Sequence, residues 1–288
     1  MNITIDQQTC TRCGECLIEC PPKAVQYNEQ TGSYSIDQSI CIRCSHCAAI
    51  CPPGAVLSSE GEFQDWKDPQ IDPSLMKDFL SGKRSVRRYR NEPLKRELIR
   101  QIISVGSLTA TTSNRQDWSS IVLTGGRVRE LAERLFSLYF PLIRLARSPL
   151  VRLLLKFTPA RPYAGKSGTL ERFEERLLKI KKGGDPFFYN APAVVIMTYP
   201  KNNHQYGKVN CVLAAQAIMY YAQSMGIGSC MIGFAGTALN IKRSIRSALG
   251  IDGSQKIGLV FTLGYPDVKY LRLPIRKPIP VTFYKEEE

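Results

Sequence analysis

The 288-residue sequence has no uninterrupted apolar run of the ~20 residues that a membrane-spanning helix needs. Its opening residues, Met1 to Asp6, lack the basic stretch and apolar run of a secretory signal peptide. Cysteine is scarce after residue 51, where only Cys211 and Cys230 occur. We therefore expect no membrane span, a cytoplasmic location, and ordinary buried roles for these two thiols.

Acidic side chains are scarce in the later part of the chain. Residues 1–65 carry three basic and eight acidic side chains, a net charge of −5, whereas the rest carries 36 basic and 17 acidic ones, a net charge of +19. Such a basic body is expected to attract phosphate-bearing cofactors and acidic redox partners. Its cations are dispersed and no recognition motif accompanies them, so we expect no nucleic-acid partner.

The first 51 residues contain eight of the ten cysteines, in two copies of one pattern offset by 31 residues. The copies are Cys10-x2-Cys13-x2-Cys16-x3-Cys20-Pro21 and Cys41-x2-Cys44-x2-Cys47-x3-Cys51-Pro52. In this bacterial ferredoxin run, three closely spaced thiolates hold one [4Fe-4S] cluster and the fourth ligates the other cluster. The expected ligand sets are Cys10, Cys13, Cys16 and Cys51 for the first cluster, and Cys41, Cys44, Cys47 and Cys20 for the second. Residues 1–60 resemble the two-cluster ferredoxins.

A disulfide framework and a zinc site are two other interpretations of the cysteines. A disulfide framework requires an oxidising compartment, for which the start of the chain offers no signal. Zinc sites usually use two ligand pairs across a longer gap, not a repeated triple with a distant fourth cysteine. His46 lies inside the second triple, where it is either a surface residue or one that tunes the cluster through a hydrogen bond.

The order of patterns predicts an α+β chain in three parts. Residues 1–60 form the cluster domain, with a small hairpin around Thr31-Gly32; residues 61–73 form a polar, proline-containing linker; and residues 74–288 form the second domain. Strands and helices mix there without a regular βαβ rhythm. Strands are predicted at 119–124, 193–199 and 256–264, and helices from 74, after 93, and at 171–182 and 210–225.

The segment Leu131 to Phe157 interleaves apolar residues with arginines and contains two prolines. It is either a basic amphipathic helix on a membrane surface or, as we favour, a helical excursion packed over the domain or over a substrate site.

The segment from Lys83 to Tyr89 places four positive charges in seven residues, beside Ser85. Guanidinium groups bind phosphate oxygens in pairs, and a hydroxyl adds a neutral donor, so this run suits a phosphate group. Alone, a charge run is more often a solvated surface.

From about residue 75 onward, further motifs in the same order are similar to the nitroreductase family of FMN-dependent oxidoreductases. The Arg-Ser-hydrophobic-Arg run matches Arg84, Ser85 and Arg87, with Lys83 beside it. The Asn-x-Gln-x-Trp run matches Asn114 to Trp118, although Asp117 stands at the usual proline and Ala110-Thr111 at the usual Pro-Ser.

The resemblance implies a sandwich with a central, mainly antiparallel sheet flanked by helices. It also implies which residues contact FMN. These are Lys83, Arg84, Ser85, Arg87, Thr111, Asn114, Gln116, Ile232, Gly233 and Arg276. Arg276 is chosen over Arg272 and Lys277 as the basic residue that completes the phosphate site, and the glycine-rich segment from Gly226 allows close approach to the flavin ring.

The two parts together predict an FMN-dependent reductase. It receives low-potential electrons through two [4Fe-4S] clusters and passes them to a small organic acceptor: a nitroaromatic, a quinone or an activated alkene. The resemblance implies a homodimer with FMN at the interface. Ferredoxin, flavodoxin or NAD(P)H is the expected donor, and exposed clusters suggest an anaerobe.

No general acid is identified, and His204 is either a proton donor or, as we favour, a surface residue. Two alternatives to the reductase are an electron-transfer relay or redox sensor in a larger complex, and a degenerate flavin site that binds another ligand.

Overall fold

A computed structural model of the chain describes residues 1–146, 148, 151, 169–203 and 205–284. Its internal contacts separate two compact units. The first, which we call the cysteine-rich unit, comprises Met1–Gln70 and Ala110–Asp117. The second, which we call the large unit, comprises Ile71–Thr109 and Trp118–Glu288. The turn at residues 110–117 therefore groups with the N-terminal cysteines rather than with its neighbours in sequence.

The cysteine-rich unit contains two antiparallel strand pairs and two short helices. In chain order its elements are β1 (Ile3–Ile5), α1 (Glu15–Glu19), β2 (Val25–Asn28), β3 (Ser33–Ile36), α2 (His46–Ala49) and β4 (Val56–Ser58). Strand β1 pairs with β4, and β2 pairs with β3 across a turn in which Gly32 has φ of +61°. The predicted hairpin is present, and glycine suits its left-handed turn position.

The internal repeat is also a structural repeat. Gly14 precedes α1 with φ of +84°, and Ser45 precedes α2 with φ of +63°, so both helices begin after a left-handed residue. Arg12 and Arg43, which are equivalent in the repeat, share a left-handed backbone at +62° and +56°. The same chain path therefore encloses each set of cysteines.

The large unit has a four-stranded antiparallel sheet with helices on both faces. Its elements are α3 (Pro73–Ser81), α4 (Arg96–Ser104), β5 (Ser119–Thr124), α5 (Gly126–Ala146), α6 (Thr169–Leu178), β6 (Ala193–Pro200), α7 (Gly207–Ser224), β7 (Gly228–Met231), α8 (Gly233–Ile241), α9 (Arg243–Ala248) and β8 (Gln255–Gly264). The strand order is β5-β6-β8-β7. The α+β class and the antiparallel sheet between helices are as predicted.

The alternation of side chains along β6 explains why this sheet needs two helical layers. Val194 and Ile196 face one core, which contains Leu131 of α5 and Leu239 of α8. Val195 and Met197 face a second core, to which α7 and α4 contribute. A strand apolar on both faces can be stable only between two apolar layers.

Short sequence patterns explain where several helices begin and end. Pro73 is the first residue of α3, and the Asp72 side chain accepts a hydrogen bond from the Leu75 N–H at 2.9 Å, as an N-cap does. Helix α7 is followed by Gly226 with φ of +73°. Strand β7 and helices α8 and α9 were not predicted; the residues of β7 and the start of α8 were assigned to the glycine-rich segment, and no element was assigned to residues 235–248.

The described part of the segment 131–157 packs on the large unit. Leu131 and Leu135 of α5 are buried in the core, while Arg134 pairs with Glu130 on the outer face at 2.9 Å. For these residues the packed-helix interpretation holds. Residues 152–157 lie outside the described residues. No helix in the described ranges is both long enough and apolar enough to cross a membrane.

Gly258 on β8 offers a test of how tightly α7 packs on the sheet. A Cβ at this position would lie 2.4 Å from Cys211 Cβ and 2.7 Å from its Sγ. We expect Gly258→Ala to lower the free energy of unfolding by about 1–3 kcal/mol through overpacking. Denaturant unfolding, monitored by far-UV circular dichroism, would measure the change.

Gly236→Ala is the matched control. In α8 the nearest atom to an added Cβ is 4.0 Å away, and alanine raises helix propensity, so stability should stay level or rise by up to ~1 kcal/mol. Equal destabilisation by both changes would contradict the close packing at Gly258.

Candidate functional site

The four cysteines expected to hold the first cluster line one cavity of the cysteine-rich unit. Cys10, Cys13, Cys16 and Cys51 line it together with Ile5, Tyr34 and Val56. Cys51 comes from the second copy of the motif, so this cavity brings together cysteines of both copies.

The second expected set lines a second cavity, which contains Cys41, Cys44, Cys47 and Cys20. The side chain of His46 also lines this cavity, which places it where a tuning role is possible, although the residue is exposed. All ten cysteines are free thiols, which does not support the disulfide interpretation.

The donor chemistry of these cavities fits iron–sulfur clusters. The Ala24 N–H donates to Cys20 Sγ and the Ala55 N–H donates to Cys51 Sγ, both at 3.2 Å. Backbone donors at sulfur stabilise thiolate charge. Burial raises the pKa of the Cys16 thiol, and it raises the pKa of Cys47 to about 11, so metal must displace a tightly held proton there.

In the large unit, the basic segment is attached to the sheet edge at β7. The Val86 N–H donates to the Ser229 carbonyl at 3.0 Å, and Ser85 forms a parallel bridge with Ser229. A Cβ on Gly228 would lie 2.8 Å from Val86 Cγ2, so this approach requires glycine. Main-chain contacts therefore attach the segment that resembles a phosphate site to the sheet, and the Arg88–Asp267 ion pair at 3.4 Å adds a charged contact.

Lys83 is a partly buried cation without an acidic partner. Its Nζ donates to Ser229 Oγ at 2.7 Å and to the Arg84 carbonyl at 3.2 Å. Burial lowers the pKa of this ammonium group, and within the described ranges no carboxylate pairs with it. An anion bound here would compensate that burial, as the phosphate of FMN would. Ser229, which the sequence analysis missed, is the side chain that accepts the Lys83 hydrogen bond.

The C-terminal tail brings further cations to this segment. Arg276 Nη2 donates to the Lys83 carbonyl at 3.3 Å, and Arg84 Nη2 donates to the Arg272 carbonyl at 2.9 Å. Arg87 lies 5.9 Å from the ring centre of Tyr189. The Arg276 side chain thus lies beside Lys83, and its contact with a phosphate stays a prediction.

Ile232 and Gly233 begin helix α8. The Ile232 N–H donates to the Val260 carbonyl at 2.8 Å, while space beside Gly233 is open, with no atom within 4 Å of an added Cβ. Both residues line a cavity with Lys201, Lys208 and Arg246, and no carboxylate is among the residues that line it. This cavity is therefore suited to ligands that carry negative charge.

The remaining predicted flavin contacts lie in the turn at 110–117 of the cysteine-rich unit. Asn114 Nδ2 donates to the Arg43 carbonyl at 2.7 Å and to the Ile42 carbonyl at 3.2 Å. The Gln116 N–H donates to Thr111 Oγ1 at 3.1 Å. A flavin contact by Thr111, Asn114 or Gln116 stays a prediction. His204 lies outside the described residues.

Substitution of the fourth cysteines tests the exchange of ligands between motifs. We expect Cys20→Ala to remove the second cluster and to leave about four of the eight irons per chain. Adding Cys44→Ala should then change nothing further, because both residues belong to one set. Adding Cys13→Ala instead should remove nearly all iron. Iron and sulfide analysis of anaerobically purified protein measures this, with Cys211→Ala as the control.

The opposite pattern would show that each copy of the motif holds its own cluster. In that case the Cys20→Ala and Cys13→Ala changes would cost no more iron together than either does alone.

Family models match two separate segments of the chain. The Nitroreductase family model matches residues 80–265, and the 4Fe-4S dicluster domain model matches residues 2–61. A "4-nitrobenzoate reductase" from Pseudomonas putida is 29% identical over 213 residues, which cover 68% of this chain and 88% of that protein. A second "4-nitrobenzoate reductase", from Nocardioides sp., is 24% identical over 213 residues, which cover 67% and 81%.

Solved structures share the fold of the large unit. An FMN-bound nitroreductase from Bacteroides fragilis aligns with a TM-score of 0.53 at 20% identity, covering 75% of this chain and all of that chain. An FMN-bound nitroreductase from Desulfitobacterium hafniense gives 0.52 at 20% identity and the same coverage. The predicted fusion, enzyme class and types of cofactor are thereby supported. The chain belongs to the nitroreductase family and carries a 4Fe-4S dicluster domain at its N-terminal end.

Proposed function

We propose that this protein is an FMN-dependent reductase that draws electrons through two [4Fe-4S] clusters and reduces a small organic acceptor, with nitroaromatic compounds as the first candidates. The observation that carries the proposal is the partly buried Lys83 beside Ser229, an anion site without a protein anion. The family match supports FMN as the group whose phosphate fills it.

Each group of residues has a distinct part in this function. When bound, the clusters supply single electrons, and FMN collects two of them for the acceptor. The two sets of four cysteines hold the clusters. Lys83, Arg84 and Arg276 hold the flavin phosphate, with Ser85 and Arg87 beside them. Ile232 and Gly233 leave the main chain open to the flavin ring.

The charge around the Ile232–Gly233 cavity favours an acidic acceptor. Lys201, Lys208 and Arg246 line it without a carboxylate, so an aromatic acid would gain from the field there. The relative named for 4-nitrobenzoate reduction supports a nitrobenzoate as the first probe. Quinones and activated alkenes are the other acceptor classes to compare.

Loss of Lys83 tests the flavin site directly. We expect Lys83→Ala to weaken FMN binding about 10- to 100-fold, the range expected for a lost hydrogen bond to a charged group. Fluorescence titration of the flavin-free protein measures this. Arg100→Ala, which removes an exposed cation of α4, should leave the affinity unchanged. Equal affinities in all three proteins would remove Lys83 from the site.

Anaerobic turnover tests the reductase proposal itself. The protein, reduced by NADH, NADPH or reduced ferredoxin in separate stopped-flow experiments, should reoxidise rapidly with 4-nitrobenzoate and slowly with a quinone or an enone. The three reductants also identify the donor. Reduced protein that reacts with none of these acceptors, but does react with a redox protein, would favour the electron-relay function instead.

Exposed apolar residues support a homodimer. Along the tail, Leu273, Ile275 and Ile279 are 63%, 104% and 85% exposed, and Val209 and Leu213 of α7 are about half exposed. Several large apolar side chains left this exposed are typical of an interaction site. A second copy of the chain is the occupant that the family resemblance implies, with FMN at the interface and two FMN per dimer.

Light scattering measures this assembly. We expect a dimer for the FMN-loaded protein and about 10- to 100-fold weaker association for Ile279→Asp, which places a charge where an apolar side chain would be buried. Thr282→Asp adds the same charge at an exposed polar position of the tail and should have little effect. A cofactor-replete monomer would contradict the dimer.

A further inference from the structure

Asn114 uses both of its amide hydrogens within the cysteine-rich unit. One is donated to the Arg43 carbonyl at 2.7 Å and the other to the Ile42 carbonyl at 3.2 Å. A side-chain amide has only two donor hydrogens, so none remains for another acceptor. Its Oδ1 accepts from Gln116 Nε2 at 2.8 Å. Asn114 is therefore committed to the loop that contains Ile42 and Arg43.

That loop belongs to the second cluster site. Ile42 and Arg43 are the two residues between Cys41 and Cys44, and both line the cavity of the second set of thiols. Arg43 has a left-handed backbone, with φ of +56°, which turns its carbonyl out of a regular path. The Asn114 amide satisfies this carbonyl. Asn114 thus contacts the second copy of the motif and not Thr11 and Arg12, the equivalent residues of the first copy.

The turn that carries Asn114 is itself held in an unusual conformation. Ser113, Asn114 and Gln116 have φ values of +51°, +51° and +47°, although none is glycine. Asparagine tolerates this region better than most residues, but three such residues in four positions are strained. The hydrogen bonds from Gln116 to Thr111 and to Asn114 hold the turn in this form. Strain of this kind persists where surrounding contacts impose it.

We propose that Asn114 is a positioning residue for the second cluster, fixing the Cys41–Cys44 loop by holding the carbonyls of Ile42 and Arg43. The two clusters are then unequal: the second is tied to the turn at 110–117, and the first is not. The inference rests on the proposed function for the presence of both clusters. Hydrogen bonding and orientation of dipoles beside a cluster set its potential, so release of these carbonyls alters one cluster.

The test compares Asn114→Ala and Asn114→Asp with the unaltered protein, anaerobically and without an acceptor. Redox titration followed by electron paramagnetic resonance should show a shifted potential for the second cluster and an unchanged potential for the first. Asn114→Asp should shift it further, because a carboxylate faces two carbonyl oxygens. Hydrogen exchange at residues 41–45 should accelerate about tenfold in both variants, as expected for lost hydrogen bonds, with residues 10–14 unaffected.

Two further variants serve to assign the signals and to control for changes elsewhere in the turn. Cys20→Ala, which is expected to lack the second cluster, assigns the two resonance signals. Arg115→Ala changes an exposed side chain of the same turn and should shift the second cluster less than Asn114→Ala does. Equal shifts of both clusters, or no shift with unchanged exchange at 41–45, would overturn the proposal. A protein that fails to reduce nitro compounds would refute the reductase function and leave this measurement intact.

Discussion

The attachment of residues 83–89 to strands β7 and β8 is the constraint on which the proposed flavin site depends. Strand β7 is the last strand of the sheet, and its outer edge would otherwise present unpaired main-chain groups. Val86 and Ser85 occupy that edge through Ser229, while the Tyr89 hydroxyl bonds to Thr262 Oγ1 at 2.7 Å. These neutral contacts fix the position of the segment, and among the described residues Lys83 has no carboxylate partner that would compete with a bound anion.

This attachment keeps the basic segment 83–89 in a fixed position although its cations repel one another. Lys83 loses hydration when it lies beside Ser229, and burial lowers the pKa of its ammonium group. A lysine with a carboxylate neighbour would be better stabilised but unable to bind phosphate. Burial of Lys83 without a carboxylate partner among the described residues costs free energy. A bound anion would offset that cost. The close approach of Gly228 to Val86 helps to keep this segment against β7.

Those parts of the molecule that follow from short-range chemistry were predictable from the sequence. The doubled cysteine spacing led to two ligand sets, and each set lines its own cavity. Strand β5 was predicted with its observed bounds, since turn-forming glycines follow it directly. Strand β7 was not, because its residues Gly-Ser-Cys-Met have little strand character and pair only through the long-range contact with β8.

Asn114 shows that a sequence motif can identify a residue without predicting its hydrogen-bond partners. The Asn-x-Gln-x-Trp pattern specifies residue types, and the prediction that Asn114 reaches the flavin follows from family resemblance. A motif does not specify which acceptors an amide meets in a given fold. In this chain both Nδ2 contacts go to the carbonyls of Ile42 and Arg43 on the cysteine loop, within the same unit as Asn114. An Asn114 amide bonded to this loop is not free to donate to a flavin. Because one amide cannot serve both at once, any flavin contact at this turn must come from its oxygen, its backbone or its neighbours.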